Sequence, residues 1–203
     1  MISKALQRLF NAIYTILKLS FYFWVLTLAG VVITGPGPAL QAISDLYVRH
    51  HFNYHKLVFK DAWALFKHYW RTKNIWFWCV AALIFALSYN LYLSTQFQGW
   101  FWLFIDFILL FALAFVVSAS LSALVLQSHF EVAECNLLKL AIMQFFNKFG
   151  QVVVLILGLA LLGFLTWKFK ALLLFFSIPL MVIWADMANH AYVRRIEEEL
   201  TEK

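Results

Sequence analysis

The chain has 203 residues, of which 64% are hydrophobic and only 13% are charged. A soluble domain is about half apolar and about a quarter charged, so this composition excludes a water-soluble fold and requires lipid to cover part of the surface. The net charge of +6 would suggest a nucleic-acid ligand in a soluble protein, but here the basic residues flank apolar runs. That pattern indicates membrane topology and argues against nucleic acid as a partner.

Only helices or a closed barrel can span a bilayer, and the continuous apolar runs favour helices. We therefore predict an all-α, polytopic membrane protein that forms a single domain over residues 1–203. Residues 1–17 place apolar side chains at helical spacing and predict an amphipathic helix in the membrane interface. The five segments predicted to span the bilayer are residues 18–34, 75–93, 100–126, 152–167 and 172–188.

Two long links alternate with short hairpins, and this arrangement predicts how the chain is oriented in the membrane. The links at residues 35–74 and 127–151, together with the C-terminus, carry 11 of the 16 Lys and Arg residues. The positive-inside rule places them in the cytoplasm of a bacterial inner-membrane protein. The N-terminal helix then lies outside, although its own cations oppose that side; an interfacial first segment would remove the conflict.

The first span ends on Gly35, Pro36, Gly37 and Pro38. Proline removes a helical hydrogen bond and glycine tolerates positive φ, so this stretch predicts a helix break. Proline fits the first turn of a helix, and Pro38 is therefore predicted to open the next one. The break is either a simple stop and turn or irregular backbone that lines a polar cavity, as in transporters.

The first long link contains a segment with one aromatic face and one basic face. Aromatic side chains recur there at steps of four, three and four residues, and cations lie between them. This pattern predicts an amphipathic helix at the cytoplasmic surface, which docks a partner, lies on lipid headgroups or packs under the bundle. The residues assigned to partner or lipid docking are Lys60, Trp63, Phe66, Lys67, Trp70 and Arg71.

Three polar residues inside or at the edge of spans are candidate intramembrane sites, because buried carboxylates are costly in lipid. Asp106 follows the start of the third span and could face the outer headgroups or an outward cavity. Asp186 and His190 are four residues apart at the end of the fifth span and could pair on one helix face. Their alternative role is to anchor the cytoplasmic end of the helix.

The sequence predicts no catalytic residues, no cofactor and no metal site. His51 and His55 have a spacing that could bind metal on a helix, but no nearby cysteine or carboxylate cluster completes a site. No phosphate loop or dinucleotide motif is present, so powered transport would need a partner ATPase.

The order of these features resembles the YesL-like family of bacterial integral membrane proteins, a domain of unknown function. The resemblance covers essentially the whole chain. It runs from the interfacial N-terminal helix and the first span, which ends in Gly-Pro-Ala-Leu, through the aromatic helix to the four further spans, and it includes the amphipathic segment before the last two spans. Its residues here are Gly35, Pro38, Ala39, Leu40, Phe59, Trp63, Phe66 and Asn74.

Members of that family typically occur beside genes for sugar ABC transporters, sensor systems and glycoside hydrolases. The resemblance therefore implies a non-enzymatic accessory subunit of carbohydrate uptake or sugar sensing. Its partners would be the lipid bilayer and a sugar ABC transporter permease or sensor kinase. The alternative is a small independent transporter or channel that uses the helix break and Asp106, for which a homo-oligomer would be expected.

Overall fold

A computed structural model describes residues 2–130 and 134–201 of the chain. Every regular element in these residues is helical, which confirms the predicted all-α class. A π-helical turn at Leu173–Ser177 precedes the last helix. The helices are α1 Ile2–Ala29, α2 Pro36–His50, α3 Phe59–Ser94, α4 Trp100–His129, α5 Glu134–Asn147, α6 Phe149–Lys168 and α7 Ile178–Thr201.

Within the residues that the structure describes, five helical stretches are long and apolar enough to cross a membrane, as predicted, and the chain is a multi-pass membrane protein. Their bounds are Leu6–Ala29, Phe59–Ser94, Trp100–His129, Phe149–Lys168 and Leu173–Glu198. The helices α2 and α5 do not belong to this set. They lie in the two long links that the sequence pattern placed on one side of the membrane.

Two helices extend further than predicted. The interfacial helix and the first span form one continuous helix, α1, because no glycine or proline interrupts the sequence from Ile2 to Ala29. The amphipathic helix of the first link and the second span are likewise joined in α3. With 36 residues α3 is about 54 Å long, whereas the hydrocarbon core is about 30 Å thick. Part of α3 therefore lies beyond the hydrocarbon.

The short helix α2 lies at the centre of the bundle and contacts α1, α3, α4 and α7. Ten of its 15 residues are buried, including side chains as large as Ile43 and Leu46. It packs most extensively on α3, whose Ala62 and Phe66 join the same buried cluster. A helix too short and too polar to span a membrane thus forms part of one apolar core, while α4, α5, α6 and α7 share a second one.

The π-helical turn before α7 has a carbonyl that accepts hydrogen bonds from α1. A π-helical hydrogen bond to the carbonyl of Leu174 would come from the backbone N–H five residues later, but that residue is Pro179 and has no N–H. The side chains of Ser20 and Trp24 instead donate to this carbonyl at 2.7 and 2.8 Å. The irregular turn therefore ties α1 to α7.

Gly158 in α6 is expected to tolerate no larger residue. A Cβ atom at this position would overlap the indole ring of Trp184, whereas a Cβ atom at Gly163 on the same helix would meet nothing within 4 Å. We expect G158A to lower the free energy of unfolding by about 1–3 kcal/mol through overpacking. Unfolding in mixed detergent micelles, followed by tryptophan fluorescence, measures this difference, and G163A is the matched control, expected to be neutral or slightly stabilising.

Candidate functional site

The break between α1 and α2 lies at residues 30–34, earlier than the predicted position at Gly35–Pro38. The helix α1 ends at Ala29, and Val31 and Val32 follow with φ of 59° and 62°. Positive φ is strained for β-branched residues, so hydrogen bonds must hold the turn in place. Thr34 Oγ1 donates to the carbonyl of Gly30 at 2.6 Å, and Trp78 Nε1 donates to that of Ile33 at 2.8 Å.

The two glycines of the motif are needed for close helix crossings and not for positive φ. Gly35 caps α2 with φ of −88°. A Cβ atom on Gly35 would lie 2.4 Å from the carbonyl oxygen of Thr27 in α1. A Cβ atom on Gly37 would lie 2.5 Å from the carbonyl oxygen of Lys73 in α3. Each glycine therefore brings the backbone of α2 against that of a neighbouring helix.

The two prolines reduce the cost of starting a helix inside the bundle. The first N–H groups of a helix have no partner within the helix, and no side chain caps α2. Pro36 and Pro38 have no N–H, so Gly37 contributes the one such donor among the first three residues of α2. Pro36, and not Pro38 as predicted, is the first residue of the helix.

A mostly apolar cavity of about 220 Å³ lies beside the start of α2. Its polar lining residues are Gln41 of α2, Lys73 of α3 and Ser120 of α4, and apolar side chains of α2, α3, α4, α5 and α7 form most of the rest. The Lys73 side chain is only 6% exposed, and its Nζ donates to Gln127 Oε1 at 3.0 Å. The cavity thus adjoins the first turns of α2, and residues 30–34 are not part of its lining.

A chain of hydrogen bonds joins α2 to α3 and α4. Tyr69 OH donates to Asp45 Oδ2 at 2.8 Å, and Gln41 Nε2 donates to Asp45 Oδ1 at 3.0 Å. The same amide nitrogen donates to Ser128 Oγ at 3.0 Å, and Ser128 Oγ donates to Ser44 Oγ at 2.8 Å. Gln41, Ser44 and Asp45 are each 2% exposed or less. These mutual bonds satisfy polar groups that would be costly to bury alone.

A second polar cluster involves α7. Asp186 Oδ1 lies 2.8 Å from His129 Nε2 of α4, whereas His190 is exposed. The predicted pairing of Asp186 with His190 is therefore wrong, because α4 supplies a nearer partner. Burial, with a smaller contribution from the Asp186 carboxylate, raises the pKa of Tyr47 in α2 to about 12. The Tyr47 phenol accordingly stays protonated at neutral pH.

Next to this pair, Asn189 links three helices. Its Oδ1 accepts hydrogen bonds from Ser122 of α4 and from Gln144 of α5, and its Nδ2 donates to the carbonyl of Ala185 at 2.8 Å. Asn189 and Gln144 are each 1% exposed. Their bonds connect the amphipathic helix of the second link to the core.

The structure separates the predicted docking residues into a buried group and an exposed group. Phe66 is only 2% exposed and packs in the core, so its assignment to a docking surface is wrong. Trp63 packs partly against the same core. The aromatic face turns inward because α2 offers an apolar helix to pack against. The residues that remain available, which we call the basic row, are Lys60, Lys67, Trp70 and Arg71.

Asp106 lies far from the helix break. The cavity beside the break contacts α4 from Val117 to Leu124. From Asp106 to Leu121 the helix rises by about 22 Å, so the two features form separate sites. Asp106 Oδ1 is buried and has no hydrogen-bond partner within the part of the chain that the structure describes.

Among the described residues, no three His, Cys, Asp or Glu side chains come together as a metal site requires. Sequence patterns did not predict the buried networks formed by Gln41, Asp45, Tyr69 and His129. One signal could have found the first of these networks. Gln41, Ser44 and Asp45 follow helical spacing and form a polar stripe on a helix whose other positions are mostly apolar.

Residues 16–91, from the middle of α1 to near the end of α3, match the model of a family described as "Protein of unknown function, DUF624". YesL-like proteins belong to this family, so the match confirms the resemblance over these residues. The matched region contains the helix break, all of α2 and the basic row. No curated protein and no solved structure matches the chain.

Proposed function

We propose that this chain, whose residues 16–91 match the DUF624 family model, is a non-enzymatic accessory subunit of a bacterial carbohydrate uptake system of the ABC type or of a sugar-sensing system. The family description assigns no function. The carbohydrate class rests on the resemblance to YesL-like proteins, whose genes typically occur beside those for sugar transport. The partner that we propose is a sugar ABC transporter permease or a sensor kinase.

The observation that carries this proposal is the basic row on α3. Lys60, Lys67 and Arg71 are separated by seven and four residues and therefore share one helix face. All three side chains are exposed, and Lys67 Nζ lies 5.4 Å from the centre of the Trp63 ring. Because the aromatic side of the same helix segment is packed on the core, this cationic face has a fixed orientation.

The length of α3 allows part of this helix to lie outside the bilayer. A helix of 36 residues exceeds the hydrocarbon thickness by about 24 Å, and the N-terminal part of α3 carries the polar residues. By the positive-inside rule we place this part, with the C-terminus, in the cytoplasm of an inner-membrane protein. A partner with an acidic cytoplasmic surface would complement the row and associate faster through electrostatic attraction.

Co-purification from the native membranes tests this function. The tagged protein is extracted in mild detergent, and its partners are quantified by mass spectrometry. We expect a sugar ABC permease or a sensor kinase in stoichiometric amount with the wild-type chain. We expect the amount of partner recovered with the triple variant K60E/K67E/R71E to fall by about tenfold or more. Like charges that face each other across an interface cost several kcal/mol of binding free energy. Its insertion into the membrane should be unchanged.

The matched control is R194E/R195E, which reverses exposed charges on α7 and leaves α3 intact. It should retain the partner. Equal recovery of the partner by the triple variant and the control would refute docking through the basic row. Recovery of a homo-oligomer with no transport protein would refute the accessory function.

That last result would favour a second candidate function, an independent transporter or channel. The observation in its favour is Asp106, whose Oδ1 atom is buried without a hydrogen-bond partner in the described part of the chain. Intramembrane carboxylates commonly mark ion or substrate paths. Asp106 and the helix break are not in one site. An ion or substrate path in such a transporter would therefore pass Asp106 at an interface between copies of the chain and would not involve the helix break.

A further inference from the structure

The cavity beside the start of α2 lies between the two link helices and three of the long helices. Its lining comes from α2, α3, α4, α5 and α7, and its volume is about 220 Å³. A cavity of about 150 Å³ that is lined by aliphatic and aromatic side chains already holds a benzene molecule. The cavity therefore has room for one small ligand of that size or somewhat larger.

The polar groups of the lining are already hydrogen-bonded within the protein. Gln41 Nε2 donates to groups of α2 and α4. Lys73 Nζ donates to Gln127 Oε1 at 3.0 Å, and Ser120 Oγ donates to the carbonyl of Val117 at 2.9 Å. A ligand with a charged group would therefore lose its hydration shell on entering without gaining an equivalent set of hydrogen bonds.

The rest of the lining is mostly apolar and comes from every helix around the cavity. Its members include Leu40 of α2, Trp76 of α3, Leu121 of α4, Leu137 of α5 and Met181 of α7. A buried water molecule needs about two to four polar partners, so this lining favours an apolar occupant over water. An apolar ligand would gain dispersion contacts with all five helices.

The cavity can be reached from the lipid side of α3. Phe77, Val80 and Ile84 line the cavity and also border a depression along α3. Leu83 and Phe85 in the same stretch are exposed, as expected for a helix surface that faces lipid. An apolar molecule dissolved in the hydrocarbon thus has a path into the cavity past these side chains.

We propose that this cavity is a binding site for one neutral, apolar small molecule that is taken up from the bilayer. The ligand is a compact hydrocarbon or an aromatic compound without charge. Because it contacts α2 and α5 as well as three long helices, its binding stabilises their arrangement. The site is separate from the basic row, and its occupancy does not depend on the proposed function.

Fluorescence quenching tests the site, because Trp76 belongs to the lining. The full-length protein in lipid nanodiscs is titrated with bromobenzene, whose bromine atom quenches a tryptophan that it contacts. The difference between the wild type and W76F gives the signal of Trp76. We expect this signal to fall along a saturable curve, whereas tryptophans that face lipid are quenched in proportion to the bromobenzene concentration. A Trp76 signal that does not saturate would overturn the proposal.

Phenylalanine at Val80 should occupy the space that the ligand needs. We expect V80F, measured with and without W76F, to require about tenfold or more bromobenzene for half-maximal quenching of Trp76. The matched control is L83F at an exposed position of the same helix, which should bind as wild type. If V80F fails to fold, S120L fills the cavity from α4. Equal binding by the filled variant and L83F would overturn the site.

A charged analogue tests the class of ligand. The probe 4-bromobenzoate has the same ring and bromine atom as bromobenzene and carries a negative charge. We expect its saturable quenching of Trp76 to be weaker by about tenfold or more, since its carboxylate would enter the cavity without free donors to receive it. Saturable quenching by both probes at the same concentration would show that Lys73 attracts an anion and would overturn the assignment of a neutral ligand.

Discussion

Replacing Gly35 or Gly37 with alanine is expected to destabilise the bundle strongly, because the added methyl group would meet the backbone of a neighbouring helix. A Cβ atom at position 35 would lie 2.4 Å from the carbonyl oxygen and 2.6 Å from the Cα atom of Thr27. At position 37 it would lie 2.5 Å from the carbonyl oxygen of Lys73 and 2.7 Å from Phe77 Cβ. These are mostly backbone atoms, which cannot move without moving α1 or α3.

We expect each alanine variant to lose about 3 kcal/mol or more of unfolding free energy, at the upper end of overpacking effects. Since folded proteins are stable by only about 5–15 kcal/mol, the double variant G35A/G37A should not form a monodisperse species in detergent. Size-exclusion chromatography and unfolding in mixed micelles measure both effects.

Gly150 in α6 provides the control for this prediction. A Cβ atom there would meet nothing within 4 Å, and alanine is the better helix former by about 1 kcal/mol. G150A should therefore be neutral or stabilising. Wild-type stability in G35A would show that α2 does not cross α1 as closely as the structure indicates.

The helical class and the number of spans could be predicted from sequence because lipid imposes a strong and local constraint. Each apolar run had to be helical, and its length was enough to identify it. Helix ends were less certain. The break was placed at the prolines, yet α1 ends at Ala29, since strained turn residues such as Val31 give no signal in the sequence.

The buried polar contacts could not be predicted, because they depend on which helices become neighbours. Asp186 and His190 have a favourable spacing within one helix, but His129 approaches Asp186 from α4, 57 positions earlier in the chain. Phe66 was assigned to a docking surface because the sequence does not show which helix becomes its neighbour. The pattern identifies an aromatic face correctly but does not say that α2 will cover it.

Replacing Gln41 with leucine should cause the second large loss of stability. In Q41L, the Asp45 carboxylate and the Ser128 hydroxyl would each lose a hydrogen bond in a buried environment. Buried groups left without partners cost about 1–3 kcal/mol each, so we expect a loss of about 2 kcal/mol or more in unfolding free energy. The control Q96L changes an exposed glutamine in the turn after α3 and should stay within about 0.5 kcal/mol of wild type.

A double-mutant cycle with S128A shows whether these residues act as one network. Gln41 and Ser128 are hydrogen-bonded, so the loss in Q41L/S128A should be smaller than the sum of the single losses by about 0.5–3 kcal/mol. Simple additivity would mean that α2 and α4 do not share this contact in the membrane. A coupling of the expected size would show that a polar chain fixes the register of α2 at the centre of the bundle, where apolar packing alone specifies position poorly.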